Sequence, residues 1–403
     1  MRIALFSGNY NYIREGANQA LNRLVRYAGD RGHEVRVYSP VTDTPAFEPE
    51  GTLVPVPSVA LPMRNEFRLA LRLPRHIQED IRSFGPGLIH VSTPDILCTR
   101  AQTFARRLGL PVVASLHTRF ETYLDFYGLG WARPFAEGHL RRFYRRSDHV
   151  LAPTPAIVAE MKRLRGDDRV SLWSRGVDRE LFSPSRRDRS WRQQHGWADT
   201  DVVVLFFGRL VLEKGVKDFI ATVRHLQSEG VAVKPLVVGA GPAQNLFAAL
   251  PDASLTGHLD GVELARAVAS ADILIHVSQT EAFGNVVLEA MASGLAIVSS
   301  DSGSSKALIK HGRSGLLCPA HDLDKLTGEV ARLARDSERR RRLGAAARLE
   351  SNAFDWNAAC ESVLDAYAQL ARTDSIGARR QSGLDESEHV KETAGRSPAL
   401  VAR

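Results

Sequence analysis

The feature that most constrains this chain is a strand–helix alternation that runs, stops and starts again. Short β-rich runs at Ile3–Ser7, Val35–Tyr38, Leu88–Val91, Val112–His117 and His149–Ala152 are separated by stretches with helical spacing. One is Gly16–Gly29, where Ala17, Leu21, Leu24 and Ala28 share a face. Such alternation predicts a parallel, doubly wound sheet. From about Ser183 to His195 the chain turns polar, with Pro184 and several arginines, and reads as a linker. The pattern then resumes with a strand at Val202–Phe207, a helix at Gly215–Glu229, strands at Pro235–Gly239 and Ile273–Val277, a helix at Gly284–Ser293 and a strand at Ala296–Ser299. A length of 403 residues suits two domains. The expected fold is α/β: two Rossmann-like doubly wound parallel sheets facing across a cleft. Ligands of such sheets bind at the carboxyl ends of strands, so a shared site is expected between them.

The stretch Ser278–Gly294 carries the strongest chemical signal. It follows a buried strand, so the turn at Glu281–Gly284 falls at a strand's carboxyl end; Gly284 opens a helix there, and Gly294 closes it. The free amides of Gly284, Asn285, Val286 and Val287 then form a site for a phosphate group. Glu281 precedes the helix and can reach sugar hydroxyls. Glu289 lies just over one turn in and can reach a ribose, and each carboxylate can accept two hydroxyl donors. Taken singly, the two glutamates are explained as well by a helix-dipole acid and a solvated helix face.

Together, Glu281 and Glu289 with seven residues between them resemble the E-x7-E motif of retaining glycosyltransferases of family 4, which have the GT-B architecture. Phe283-Gly284-Asn285 and Glu289-Ala290-Met291-Ala292-Ser293-Gly294 match that family closely. A second match is Gly208-Arg209-Leu210-Val211-Leu212-Glu213-Lys214-Gly215. The resemblance implies that Gly208 shapes a loop in which Arg209 and Lys214 clamp a donor diphosphate. Electrostatics point the same way, because a departing nucleoside diphosphate develops negative charge that fixed cations stabilise. The resemblance extends to about residue 370. It implies that His117, at the end of an apolar strand, contacts the donor sugar, and that Gly16 brings a helix N-terminus to the diphosphate. Arg119–Tyr123, Tyr127–Trp131 and Trp173–Asp178 are similar to the branch that includes GDP-mannose-dependent mannosyltransferases and sulfolipid-type transferases. The chain departs from the family in having Gly16-Ala17 for a glycine pair, and Lys306 near a position where many relatives carry a glutamate.

The expected organisation is an acceptor domain over 1–183, a donor domain over 184–354, a helix over 355–371 that crosses back to the first domain, and a disordered tail over 372–403. The expected reaction moves a hexose from GDP-mannose or a UDP-hexose to a lipid or lipid-linked acceptor. A soluble glycan or small-molecule acceptor, or a nucleotide-sugar epimerase, remains open. No cofactor or metal is expected: the Asp199/Asp201 and Asp322/Asp324 pairs read as turn and N-cap residues, and no His/Cys cluster has metal-ligand spacing. Gly239-Ala240-Gly241-Pro242 lacks the third glycine of a dinucleotide loop.

Charge is unevenly placed. Residues 1–183 hold 26 Lys and Arg against 19 Asp and Glu, and the rest holds 27 of each. Arg64, Arg68, Arg72 and Arg75, and again Arg141, Arg142, Arg145 and Arg146, recur at helical spacing beside apolar residues, a pattern of helices on anionic membrane surfaces. No aromatic-interleaved nucleic-acid platform appears. The N-terminus enters a strand pattern directly and no apolar run is long enough to span a bilayer. Cys98, Cys318 and Cys360 are far apart in apolar settings and read as reduced. A cytoplasmic protein, peripheral on the inner membrane face, is therefore expected.

Overall fold

The computed structural model describes residues 1–61 and 64–372; the expected disordered tail lies outside them, apart from Arg372. Two all-parallel sheets form the molecule. The first has seven strands: β1 (Arg2–Phe6), β2 (Glu34–Ser39), β3 (Thr52–Pro55), β6 (Leu88–Val91), β7 (Val112–Ser115), β8 (His149–Ala152) and β9 (Val170–Leu172). Their order is β3-β2-β1-β6-β7-β8-β9. A small antiparallel hairpin, β4 (Val59–Leu61) and β5 (Arg64–Leu69), stands beside it. The second sheet has six: β10 (Val203–Phe207), β11 (Lys234–Val238), β12 (Ser254–Gly257), β13 (Ile273–His276), β14 (Ala296–Ser300) and β15 (Leu316–Cys318), ordered β12-β11-β10-β13-β14-β15. The central strands are short apolar runs because helices cover both faces. In β6, β7 and β13 every residue is buried.

Strand order reverses direction of growth at β1, between β2 and β6, and at β10, between β11 and β13. These switch points leave crevices outside the strands' carboxyl ends. Gly208 and Arg209 follow β10, and Ser278–Gly284 follows β13, so the sequence motifs converge on one crevice.

The helix over residues 356–372 returns to the first sheet. Its Cys360, Val363, Leu364 and Tyr367 pack with Leu5, Leu24, Val113 and Trp173. Gly176 lies so close to Trp356 that a Cβ would overlap its backbone.

Two segments differ from expectation. The stretch read as a linker contains a helix, Arg189–Gln194, with Trp191 buried and the Arg192 side chain fully enclosed. Arg192 donates to the carbonyls of Ser270 (2.7 Å), Ala198 (2.8 Å) and Asp201 (2.8 Å), and pairs with Asp272 at 3.3 Å. Polarity suggested solvent, but a guanidinium whose terminal nitrogens are met by carbonyls and a carboxylate can be buried. The region of Arg64, Arg68, Arg72 and Arg75 is not one basic helix. Arg64 and Arg68 lie on strand β5, and Arg75 begins the helix Arg75–Phe84. Phe67, Leu69, Leu71 and Leu73 recur with the strand period of two, which the arginine spacing obscured.

The three cysteines are buried and unpaired. Asp322 accepts from Lys325 N at 2.9 Å as a helix cap, and Asp201 accepts from Ala198 N at 2.8 Å.

Candidate active site

The turn after β13 is built by glycine and by hydroxyls. Gly284 sits at φ 97°, a left-handed conformation that side-chain-bearing residues rarely adopt, and the helix Asn285–Ala292 starts immediately after it. The Ser278 and Thr280 hydroxyls both donate to the Glu213 carbonyl, at 3.1 and 3.3 Å. They fasten the turn after β13 to the short 3₁₀ turn Leu212–Lys214 after β10. Gly215 (φ 78°) lets that turn press on the β13 exit, since a Cβ would lie 3.0 Å from the Val277 carbonyl oxygen. The glycines of Gly239-Ala240-Gly241 have a similar use. A Cβ at either would strike the backbone of Gly208 or Leu210, so they let two loops pack together.

This fastening sets Lys214 Nζ directly against Glu281 Oε1, with His276 Nε2 3.8 Å from the same oxygen. Burial opposes ionisation of Glu281, but Lys214 and His276 outweigh it and hold the carboxyl well below the usual carboxylate range. Arg209 reaches across the cleft: its Nη1 is 2.8 Å from Glu15 Oε1. Glu15 is the last extended residue before the helix Gly16–Asp30. Gly16 approaches Asn285 so closely that a Cβ would overlap the Asn285 amide. The N-termini of the two helices therefore meet at one seam, with Arg209 beside it.

Two tyrosines complete the mouth. The Tyr127 hydroxyl donates to Glu213 Oε2 at 3.0 Å, joining the first domain to the loop that carries Lys214. Burial pushes the Tyr123 hydroxyl up, and the fields of Glu281, Glu213 and Glu15 add to this while Arg209 opposes it.

Glu289 is half-buried, and its carboxylate accepts no hydrogen bond among the described residues. Burial pushes its carboxyl up to about 8, opposed only by the field of Arg23. A desolvated carboxylate without donors fits a group that awaits the hydroxyls of a ligand. Asn285 Oδ1 is likewise buried without a partner.

His117 makes no hydrogen bond to Glu281, Arg209, Lys214 or Glu289. Both ring nitrogens are engaged within the first domain, Nε2 with Ser115 Oγ at 2.8 Å and Nδ1 with Arg175 Nη2 at 2.9 Å. Ser115 Oγ is also 2.8 Å from His90 Nε2, and His90 Nδ1 is 2.5 Å from the Tyr367 hydroxyl. Arg175 is buried, lies over the Trp173 ring at 4.7 Å, and pairs with no carboxylate among the described residues. Burial brings its pKa down to about 10.

The structure thus gathers Gly16, Gly208, Arg209, Lys214, Glu281, Gly284, Asn285, Val286 and Glu289 around one crevice. Sequence reading missed Glu15, Glu213, Tyr123, Tyr127 and Arg175. Glu213 lay inside a quoted motif, and Glu15 directly precedes Gly16; for the tyrosines and Arg175 the only signal was membership in stretches of family resemblance.

Comparison with known proteins identifies the family. Residues 14–181 match the model described as Glycosyltransferase Family 4, and residues 187–350 match Glycosyl transferases group 1. The chain is 33% identical over 377 residues to a GDP-mannose-dependent alpha-mannosyltransferase of Mycobacterium tuberculosis, covering 91% of this chain and 96% of that protein. It is 30% identical over 374 residues to the sulfoquinovosyl transferase SQD2 of Arabidopsis thaliana, covering 90% and 72%. Among solved structures, sucrose-phosphate synthase from Thermosynechococcus elongatus superposes with a TM-score of 0.74 at 19% identity, over 92% of this chain and 99% of the other. WaaG, a glycosyltransferase involved in lipopolysaccharide biosynthesis, gives 0.69 at 19%, over 90% and 98%. With two facing parallel sheets, a crevice at their switch points and relatives of this similarity, the chain belongs to the family 4 glycosyltransferases of GT-B architecture.

Proposed function

We propose that this enzyme transfers a hexose from a nucleoside-diphosphate sugar, GDP-mannose or a UDP-hexose, to a lipid or lipid-linked hydroxyl at a membrane face, with retention at the anomeric carbon. The observation that carries the donor half is the convergence of Arg209, Lys214, Glu281 and the helix beginning at Asn285 on one crevice. In this reading the helix amides, Arg209 and Lys214 hold the diphosphate, Glu281 orients the sugar hydroxyls, and Glu289 receives the ribose. As the bond from C1 to the phosphate oxygen breaks, the charge arriving on the diphosphate meets cations already in place. The reading assigns no carboxylate as a base on the opposite face of the sugar, so the acceptor is expected on the leaving-group side, its proton passing to a phosphate oxygen. The relative from Mycobacterium tuberculosis, named for GDP-mannose, favours that donor.

The lipid half rests on a surface. Phe120, Phe126, Leu129, Trp131 and Phe135 are exposed within sixteen residues of chain, Trp131 by 73% and Phe135 by 76%. Tyr127 within the same stretch is bonded to Glu213 of the donor loop, so the apolar segment lies beside the crevice. Farther along the helix Arg133–Arg145, Arg141, Arg142 and Arg145 are exposed. Aromatic rings followed by arginines suit a layer of apolar chains beneath anionic headgroups. No helix among the described residues is long and apolar enough to cross a membrane. The test is transfer from GDP-mannose, UDP-glucose and related donors to lipid extracts, with NMR of the product's anomeric proton. A β-linkage from an α-donor overturns retention, and transfer to soluble acceptors alone overturns the lipid assignment.

A further inference from the structure

The cation expected to meet the donor diphosphate is already occupied. Arg209 spends its guanidinium on Glu15, a residue of the other domain, at 2.8 Å. Glu15 occupies the N-cap position of the helix Gly16–Asp30, yet its side chain makes no capping bond. It forgoes the helix's own amides and reaches across the cleft instead. Neither partner is deeply enclosed, with side chains 29% and 38% exposed, so a ligand entering the crevice can reach both. One residue farther on, Gly16 rests against Asn285 at the N-terminus of the helix expected to face the diphosphate. Asn285 Oδ1 is buried there without a partner among the described residues. Arg14, one residue before Glu15, adds a longer pair to Asp260 of the second domain at 3.7 Å. The seam is therefore closed by a carboxylate lying where phosphate oxygens would otherwise meet Arg209.

We infer that Glu15 is a tethered stand-in for the donor's phosphate charge: it neutralises Arg209 and ties the domains together until a nucleoside diphosphate displaces it. The inference rests on the proposed placement of the diphosphate at Arg209. Because Glu15 is part of the chain, its local concentration is fixed, and every nucleotide binds in competition with it. Once displaced, the carboxylate remains beside the new anion and repels it. The exchange therefore weakens nucleotide binding and speeds the departure of the nucleoside diphosphate after transfer, when the ion pair re-forms.

The test is calorimetric titration of the full chain with GDP and with UDP at low salt. It uses the unaltered protein, Glu15→Gln, Arg209→Ala and the double variant, with circular dichroism to establish that each is folded. Glu15→Gln should bind whichever nucleotide the unaltered protein prefers about three- to tenfold more tightly, the scale of a partly exposed ion pair plus the repulsion it leaves behind. That gain should shrink as salt rises, and should fall to about twofold or less when Arg209 is already alanine, because no pair is left to displace. Equal or weaker binding by Glu15→Gln overturns the inference while leaving the donor site standing. An undiminished gain in the Arg209→Ala background also overturns it, since general repulsion would then account for the effect. If neither nucleotide binds the unaltered protein or Glu15→Gln, the donor reading itself fails, and the role of Glu15 with it.

Discussion

The Arg175 guanidinium donates to Nδ1 of His117 at 2.9 Å, and this fixes the state of the histidine. Arginine has only donors, so Nδ1 must be the bare acceptor and the ring proton sits on Nε2, facing Ser115. Burial and the neighbouring cation hold the His117 pKa well below its ordinary value, and burial brings His90 down to about 3. Nitrogen NMR should show His117 neutral and in the Nε2–H form at pH values where an exposed histidine is already protonated. The sign for stability follows. The unfolded chain takes up protons on these histidines below their ordinary pKa near 6.5 and the native protein does not, so stability is full above that value and falls with acid. For His90 the loss is on the order of 1 kcal/mol at pH 5.5, and it continues as the pH falls toward the folded-state value. Denaturant titrations from pH 7.5 to 5 check this; a flat profile would mean the histidines are not held neutral.

Lys214→Ala should lower turnover by about two to three decades, the scale of losing one preorganised charge at a developing anion. Stability should fall as well, since Glu281, only 16% exposed, loses the partner that keeps it ionised, and its carboxyl should titrate higher. Steady-state kinetics and a melting curve separate the two effects, and turnover like that of the unaltered protein removes Lys214 from the site.

In the proposed reading Arg209 and Lys214 supply the positive charge assigned to a metal in other transferases, so transfer should persist in excess EDTA. No group of three or more His, Cys, Asp or Glu side chains among the described residues is arranged to hold an ion. Activity abolished by chelation and restored by Mg²⁺ or Mn²⁺ would contradict the two-cation reading.

Glu289 should release a proton when a nucleotide binds. Its pKa near 8 leaves it largely protonated at pH 7, and ribose hydroxyls that donate to it favour the carboxylate. Calorimetry in buffers of different ionisation enthalpy reads this directly, and Glu289→Gln should abolish the buffer dependence. The same substitution should stabilise the free protein increasingly as pH rises from about 4.5 to 8. A carboxyl with a raised pKa contributes stability at low pH that is lost over that interval.

Binding to vesicles containing anionic lipid should exceed binding to neutral ones and weaken with salt, since exposed charges are screened over about 10 Å at 0.1 M. Trp131→Ala with Phe135→Ala should lower partition to both, whereas charge reversal at Arg141, Arg142 and Arg145 should erase only the preference for anionic lipid. Tryptophan fluorescence of Trp131 gives a second readout, because a ring entering the interface shifts to the blue. Equal partition to both vesicle types, or none, favours a soluble acceptor.

What the sequence disclosed and what it hid have physical causes. Strands such as β6, β10 and β13 were legible because both faces are covered and their apolar runs are unbroken. The Glu281–Glu289 turn was legible because glycine, carboxylates and a following helix carry a local signature. Relations between distant segments left none. Nothing around Glu15 announces that it meets Arg209, 194 positions later. The hydroxyls of Ser278 and Thr280 do not reveal that they grip the Glu213 carbonyl. Composition misled where a buried arginine was satisfied by carbonyls, as at Arg192, and where like charges at one spacing masked an apolar alternation at another, as along β5.

The helix at residues 356–372 has a bearing on the order in which the molecule can be made. It supplies Val363, Leu364 and Tyr367 to a face of the first sheet whose other members, Leu5, Leu24 and Trp173, were synthesised long before. On the ribosome that sheet emerges first, with one side only partly covered by the helix Gly16–Asp30 and His90 lacking its tyrosine. It must wait for the whole second domain to be translated. A chaperone that shields apolar surface has its longest opportunity in that interval, and a chain cut short after residue 350 leaves the gap permanently open.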